Sequence, residues 1–137
     1  MLQKTRGVSV FPVGLVTQLG VSSPVVQNGH VVGFFDGWNG GRMFAMDMAG
    51  FAVSVELLQK KSKAMMPLKA GYEEDGFLQS LDVTPEDLEP LANNCTQILV
   101  WHTQTQRVAP IEAQADDGMA DTNIVHLLRH MAENKVL

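Results

Sequence analysis

The sequence contains a single cysteine, Cys95, among its 137 residues. One thiol excludes an intramolecular disulfide and a cysteine-based zinc cluster, because each needs at least two cysteines in one chain. The fold must therefore be held by an ordinary apolar core. Such sparse cysteine use fits a reducing compartment, and neither a metal nor another cofactor is expected.

Positive charge is also scarce. The chain has 10 Lys and Arg against 15 Asp and Glu, which gives a net charge of −5, and its basic residues are concentrated only at Lys60, Lys61 and Lys63. Proteins that bind nucleic acid neutralise phosphates with a concentrated positive face. The sequence therefore predicts no nucleic-acid partner.

Long apolar runs are missing as well. No stretch approaches the roughly 18 to 20 uninterrupted apolar residues that span a bilayer. Residues 1–16 lack the apolar block and the small-residue cleavage site of a secretory signal. From these patterns we predict a cytoplasmic protein with no membrane partner.

What the chain does have is the composition of a globular protein, with 45% apolar and 18% charged residues. Its length suits one domain with one ordinary core. We predict a single α+β domain over residues 1–137. Its sheet is antiparallel or mixed, begins with N-terminal hairpin strands, and is packed by two or three helices that include a C-terminal amphipathic helix.

The strongest local signal is Asn28-Gly29, which lies between two Val-rich segments. A type I′ turn requires positive φ at both central positions, and Asn-Gly tolerates this conformation. The sequence therefore predicts a hairpin with strands near 23–27 and 30–36.

Further helices and strands are predicted after the hairpin. A helix is expected over 42–49, while 51–58 is compatible with either a helix or a strand, because its apolar residues fit both periods. We expect an irregular connection over 64–82, a short helix beginning after Thr84, a buried strand over 96–102 and a partner strand over 107–111. The last helix is predicted to begin after Asp121 or Thr122, with an apolar stripe of Ile124, Leu127, Leu128 and Met131.

A glycine-rich turn follows the second hairpin strand and is the first candidate site. Glycines allow close approach of backbone N–H groups to an anion, and Arg42 offers a bidentate contact to phosphate or carboxylate. The turn matches no phosphate-loop motif, so a plain surface turn is the competing interpretation. The candidate ligand-binding residues here are Asp36, Trp38, Asn39 and Arg42.

The second candidate is Trp101-His102, at the end of the predicted buried strand, where a histidine could act as a general base. No neighbouring residue in the sequence supplies an acid to orient it, and catalytic residues cannot be named from the sequence. His126 and His130 have the spacing of a shared metal site, but a solvated helical face is the favoured interpretation. For Cys95, simple core packing is favoured. The acidic group at 73–75 is interpreted as a solvated loop.

Five methionines lie between residues 43 and 66, and flexible thioethers suit adaptable apolar surfaces. Together with the absence of a catalytic motif, they favour a non-enzymatic protein that self-associates as a dimer and binds a small apolar or amphipathic ligand or a protein partner. The alternative is a small enzyme that acts on an anionic metabolite through Arg42 with His30 or His102.

Overall fold

The computed structural model describes residues 4–14, 18–103 and 115–134. Seven strands lie in these ranges: β1 (Val8–Val10), β2 (Val13–Gly14), β3 (Val21–Gln27), β4 (His30–Phe35), β5 (Phe51–Val53), β6 (Leu88–Pro90) and β7 (Val100–Trp101). The helices are α1 (Val55–Lys60), α2 (Glu73–Ser80), α3 (Leu91–Cys95) and α4 (Asn123–Glu133). Single 3₁₀ turns occur at Met48–Gly50, Pro85–Asp87 and Asp117–Met119.

The strands form two mixed sheets, and the predicted α+β class is confirmed. In the smaller sheet, β1 lies between β5, which is antiparallel to it, and β6, which is parallel. The larger sheet has the order β4-β3-β2-β7, with β7 parallel to β2 and the other neighbours antiparallel. The sheet is thus mixed rather than purely antiparallel.

The predicted hairpin is confirmed. Asn28 and Gly29 have φ of 52° and 78° and join β3 to β4, which pair from Gln27 and His30 to Ser23 and Phe35. Positive φ at both turn residues is what a type I′ turn requires.

The predicted C-terminal helix is also confirmed. Thr122 caps α4, with its side chain accepting a hydrogen bond from the backbone N–H of Ile124. The four residues of the predicted stripe are buried, and they pack against Val21, Val25 and Phe35 of the larger sheet.

The helix predicted over 42–49 is wrong. Phe44, Ala45 and Met46 are buried in succession, which one face of a helix cannot achieve. Distant side chains accept from two backbone N–H groups of this segment: Asp75 accepts from Phe44, and Ser22 accepts from Asp47. The ambiguity at 51–58 is resolved as a strand followed by a helix, since β5 ends at Val53 and Ser54 caps α1.

The irregular connection predicted over 64–82 is also wrong, because it contains α2. Gly76 weakened the helical signal there, yet the structure requires a glycine: a Cβ at this position would lie 2.5 Å from the ring of Pro67. The helix expected after Thr84 is only one 3₁₀ turn, closed by a Thr84–Asp87 capping box, because β6 must extend to pair with β1.

The strand predicted over 96–102 is shorter than expected, and the pairing predicted for 107–111 lies outside the described residues. Residues 96 and 97 instead close a left-handed turn, in which Ala92, Asn93, Asn94 and Cys95 have φ between 54° and 58°. The strand is half-buried at best, with Leu99 63% exposed and Trp101 52% exposed.

Cys95 is fully buried, which confirms core packing, and burial raises the pKa of its thiol from 9.0 to about 12.

We expect alkylation of Cys95 by iodoacetamide near pH 8 to be at least about 100-fold slower in the folded protein than in denaturant, because the thiolate is the reactive form. The folded thiol keeps its proton longer than the unfolded one, so this group costs stability only above pH 9, increasingly until about pH 12. Equal alkylation rates in the two states would contradict this expectation.

Candidate functional site

The candidate site lies at one end of the larger sheet. Because β4, β2 and β7 run in the same direction, the carboxyl ends of β4 and β7 lie at the same end of the sheet, although at opposite edges. The chain from 36 to 50, the crossing segment, runs across this end of the sheet. The backbone N–H of Asp47 donates a hydrogen bond to the hydroxyl oxygen of Ser22, near the start of β3. Tertiary structure therefore brings the two sequence-predicted groups to one end of the domain.

Arg42 and Asp36 form a buried ion pair at the β4 side of this end. Their side chains are each 5% exposed, with Nη2 of Arg42 3.3 Å from Oδ1 of Asp36. The guanidinium also donates to the backbone oxygens of Trp38, Asn39 and Met46. Arg42 thus fixes the conformation of the turn, and most of its donors are already used.

Trp38 is held by this arrangement while nearly half of it, 47%, stays exposed. Arg42 lies 4.5 Å from the centre of its ring, and Tyr72 meets it edge to face at 5.5 Å. The fit depends on glycine at Gly40, where φ is 57° and a Cβ would come within 2.6 Å of the indole. Trp38 and Tyr72 therefore form a rigid aromatic wall.

On the β7 side, His102 pairs with Asp47. Nδ1 of His102 lies 2.9 Å from Oδ2 of Asp47, while Oδ1 of the same carboxylate accepts from the backbone N–H of Ala49. The imidazole is 53% exposed and Asp47 is 16% exposed. A carboxylate that holds Nδ1 leaves Nε2 of the histidine available to a ligand.

The start of α2 completes the site, because Tyr72, the N-cap residue of this helix, donates its hydroxyl to the backbone oxygen of Gly40. Asp75 is buried, and its Oδ1 accepts a hydrogen bond of 2.8 Å from the backbone N–H of Phe44 in the crossing segment. Its other carboxylate oxygen, Oδ2, accepts from the side-chain amide of Gln79. The acidic group interpreted from the sequence as a solvated loop is therefore the start of a packed helix. Acids in a first turn are favoured by the helix dipole.

Glu74 lies on the inner side of α2. It is one turn before Leu78, which is fully buried, and about 100° around the helix from Asp75. Glu73 lies about 160° from Asp75, on the side of α2 turned away from the crossing segment. Among the described residues, neither glutamate has a hydrogen-bond or ion-pair partner.

The remaining sequence-predicted residues occupy less central positions. Asn39 is exposed and contributes its backbone oxygen to Arg42, and Trp101 packs its indole against Gly14. His30 lies at the hairpin tip, about 16 to 20 Å along β4 from Asp36. His30 is thus not part of this end of the sheet, whereas His102 is.

Sequence reasoning missed Asp47, Tyr72 and Glu74. Asp47 is 55 residues from His102 in the chain, so no local pattern joins them. An available signal for Glu74 is the run of three acids at 73–75, followed after one glycine by the apolar pair Phe77-Leu78, because acids are enriched in the first turn of a helix. His126 and His130 are exposed, as the solvated-face interpretation predicted.

Within ranges 4–14, 18–103 and 115–134, no group of three or more His, Cys, Asp or Glu side chains is placed to hold a metal ion. Over the same residues, no helix is long and apolar enough to cross a bilayer.

Comparison with known proteins identifies the kind of enzyme to which this arrangement belongs. A family model described as glycosyltransferase family 43 matches residues 1–106. Galactosylgalactosylxylosylprotein 3-beta-glucuronosyltransferase P of Drosophila melanogaster is 52% identical over 123 residues, covering 89% of this chain and 26% of the relative. Enzyme 2 of the same name from Homo sapiens is 48% identical over 110 residues (78% and 34%), and enzyme 3 from Mus musculus is 53% identical over 105 residues (75% and 31%).

These matches are all to enzymes that transfer a glycosyl group. The chain belongs to glycosyltransferase family 43. It spans about a quarter to a third of the length of these relatives.

The leading functional hypothesis from the sequence, a non-enzymatic binding protein, is wrong, because the family and the relatives are transferases. Four of the five clustered methionines that motivated it are well exposed, and only Met46 is buried. The cytoplasmic assignment is wrong as well, since the relatives are named for glycosylating a galactosylgalactosylxylosylprotein. A single chain does not test self-association, which stays a prediction.

Proposed function

We propose that this chain forms part of the active site of a 3-beta-glucuronosyltransferase that acts on a protein-linked galactosyl-galactosyl-xylose chain. The observation that carries the proposal is about 50% identity, over three quarters or more of this chain, to relatives named for that activity. The site at the end of the larger sheet supports it, because it combines an aromatic wall with carboxylates.

Trp38 and Tyr72 are proposed to bind the acceptor sugar. Aromatic faces stack on the apolar C–H faces of pyranose rings, and the exposed part of Trp38 offers such a surface. The proposed role of Arg42 and Asp36 is to hold Trp38 in place, not to bind the ligand themselves.

Glu74 is proposed as the general base. The acceptor hydroxyl gives its proton to the carboxylate, its oxygen bonds to the anomeric carbon of the activated glucuronosyl donor, and the bond from that carbon to the leaving group breaks. Asp36, Asp47 and Asp75 each have a partner in the fold, whereas Glu74 has none among the described residues. His102, oriented by Asp47, is proposed to direct Nε2 at the anionic donor.

The direct test is incubation of the protein with UDP-glucuronic acid and a soluble galactosyl-galactosyl-xylose acceptor, followed by mass spectrometry. We expect the acceptor to gain one glucuronosyl residue. An acceptor that ends in xylose is the control and is expected to react at least 10-fold more slowly. Failure of transfer, or equal transfer to both acceptors, would contradict the proposal.

A further inference from the structure

Two separate segments of the chain carry the two parts of the proposed active site. The crossing segment carries Trp38 of the aromatic wall, and α2 carries Glu74, the proposed general base. The hydroxyl of Tyr72 joins the two segments by donating to the backbone oxygen of Gly40 at 3.0 Å, and this link is exposed. A base must lie within hydrogen-bond reach of the proton that it accepts, roughly 2.6–3.2 Å. The position of α2 against the crossing segment therefore decides whether Glu74 reaches the acceptor hydroxyl.

Asp75 makes the buried link between the same two segments. It is 5% exposed, and its Oδ1 accepts from the backbone N–H of Phe44 at 2.8 Å. Phe44 is fully buried in the core. Oδ2 of Asp75 accepts from the side-chain amide of Gln79, one turn further along α2, also at 2.8 Å. One oxygen is thus held by the crossing segment and the other by the helix, which fixes the orientation of the carboxylate.

The start of α2 leaves Asp75 available for this contact. An acid three residues after an N-cap residue commonly reaches back to the backbone N–H of that residue, as Asp87 does to Thr84 in this chain. At α2 the N-cap residue is Tyr72, and its N–H donates instead to the backbone oxygen of Lys69 at 3.0 Å. Asp75 therefore contacts a segment 31 residues away in the chain rather than capping its own helix.

We propose that Asp75 is a positioning residue that sets the distance between the general base Glu74 and the acceptor sugar on the aromatic wall. Asp75 directly follows Glu74 in the first turn of α2, so a shift of Asp75 moves Glu74 with it. Because Asp75 is buried and both of its oxygens are used, it acts through Glu74 and not on the substrate. The inference rests on the proposed function, since it requires that Glu74 accepts the proton of the acceptor hydroxyl.

The test compares two substitutions of Asp75 by steady-state kinetics with varied acceptor concentration. Asp75→Asn keeps an oxygen that accepts from Phe44 and is expected to keep kcat within about 3-fold. Asp75→Ala removes that oxygen, and we expect kcat to fall about 10- to 100-fold, because a misplacement of about 1 Å can cost 10²-fold. KM for the acceptor should change by less than about 3-fold, since the aromatic wall is kept. Equal kcat in the two variants would overturn the proposal.

A double-mutant cycle measures whether Asp75 acts through Glu74. The Glu74→Gln background already lacks the base, so the addition of Asp75→Ala is expected to lower the remaining kcat by less than about 3-fold. With Glu74 present, the same substitution should lower kcat by at least about 10-fold. Equal losses in the two backgrounds would assign to Asp75 a general role in the fold and would overturn the proposal.

Asn123→Ala is the matched control for lost stability. Asn123 is another buried polar side chain that accepts from a backbone N–H, that of Val26 at 2.6 Å, near the end of β3 opposite to the candidate site. Assayed well below its Tm, Asn123→Ala is expected to keep kcat within about 3-fold of the unchanged protein. If Asn123→Ala loses as much kcat as Asp75→Ala, general destabilisation explains both results and the positioning role is refuted.

Asp75→Glu covers the case in which the alanine variant does not fold. Glutamate keeps the charge and both acceptor oxygens but is longer by one methylene, which displaces α2 from Phe44. We expect kcat to fall at least about 5-fold with KM for the acceptor kept. Unchanged kcat in Asp75→Glu would contradict the proposed control of distance.

The same assays separate this inference from the function on which it rests. An unchanged protein that transfers no glucuronosyl residue would refute the proposed function, and the role of Asp75 with it. Transfer by the unchanged protein, combined with any of the contrary results for the Asp75 variants, would refute the role of Asp75 alone.

Discussion

Replacing Glu74 by glutamine is expected to lower kcat for glucuronosyl transfer by about 10²- to 10⁴-fold, the usual contribution of a general base. Glutamine keeps the size and hydrogen-bonding capacity of the side chain but cannot accept the proton of the acceptor hydroxyl. KM for the acceptor should change much less than kcat, because aromatic stacking on Trp38 and Tyr72 is kept. Steady-state kinetics with varied acceptor concentration measure both quantities.

Glu73 provides the matched control for this experiment. It has the same side chain and lies next to Glu74 in the first turn of α2, but on the side turned away from the crossing segment. Glu73→Gln is therefore expected to keep kcat within about 3-fold of the unchanged protein, a difference of under 1 kcal/mol in the barrier. If the two variants lose activity equally, or if only Glu73→Gln loses it, Glu74 is not the base.

Replacing Asn123 by alanine is expected to lower the free energy of unfolding by about 3 kcal/mol, since each orphaned buried polar group costs roughly 1–3 kcal/mol. Asn123 is buried and accepts a hydrogen bond from the backbone N–H of Val26 at 2.6 Å. Its amide donates to the backbone oxygens of Pro24 and Cys95, each at 2.9 Å. One side chain therefore joins β3, the left-handed turn and α4.

The loss should be visible as a fall in Tm of roughly 10 °C and as a lower urea midpoint. Arg129→Ala is the control, because Arg129 is exposed on the same helix, and it is expected to change stability by no more than about 0.5 kcal/mol. If the Asn123 variant is as stable as the Arg129 variant, the three hydrogen bonds do not contribute as described.

Parts of this fold could be predicted because their causes are local. The hairpin depends on positive φ at Asn28 and Gly29, which the sequence states directly. The apolar period of α4 and its cap at Thr122 lie within one segment. The segment from 42 to 49 could not be predicted in this way, because the backbone N–H groups of Phe44 and Asp47 are satisfied by Asp75 and Ser22, from distant parts of the chain.

The same difference between local and distant causes applies to the residues of the candidate site. Four site residues could be named because each lies near the end of a strand that the sequence predicts: Asp36, Trp38, Arg42 and His102. Their roles could not be assigned, since Arg42 finds its partner within the turn while His102 finds Asp47 only through the topology of the sheet.

By itself, the sequence determined the α+β class, the hairpin and the final helix, because periodicity and turn chemistry act over a few residues. Only the tertiary structure decided that the acids at 73–75 begin a helix beside Trp38 and that Asp47 holds His102. Both facts depend on contacts between segments 30 to 55 residues apart, and no local pattern encodes such contacts.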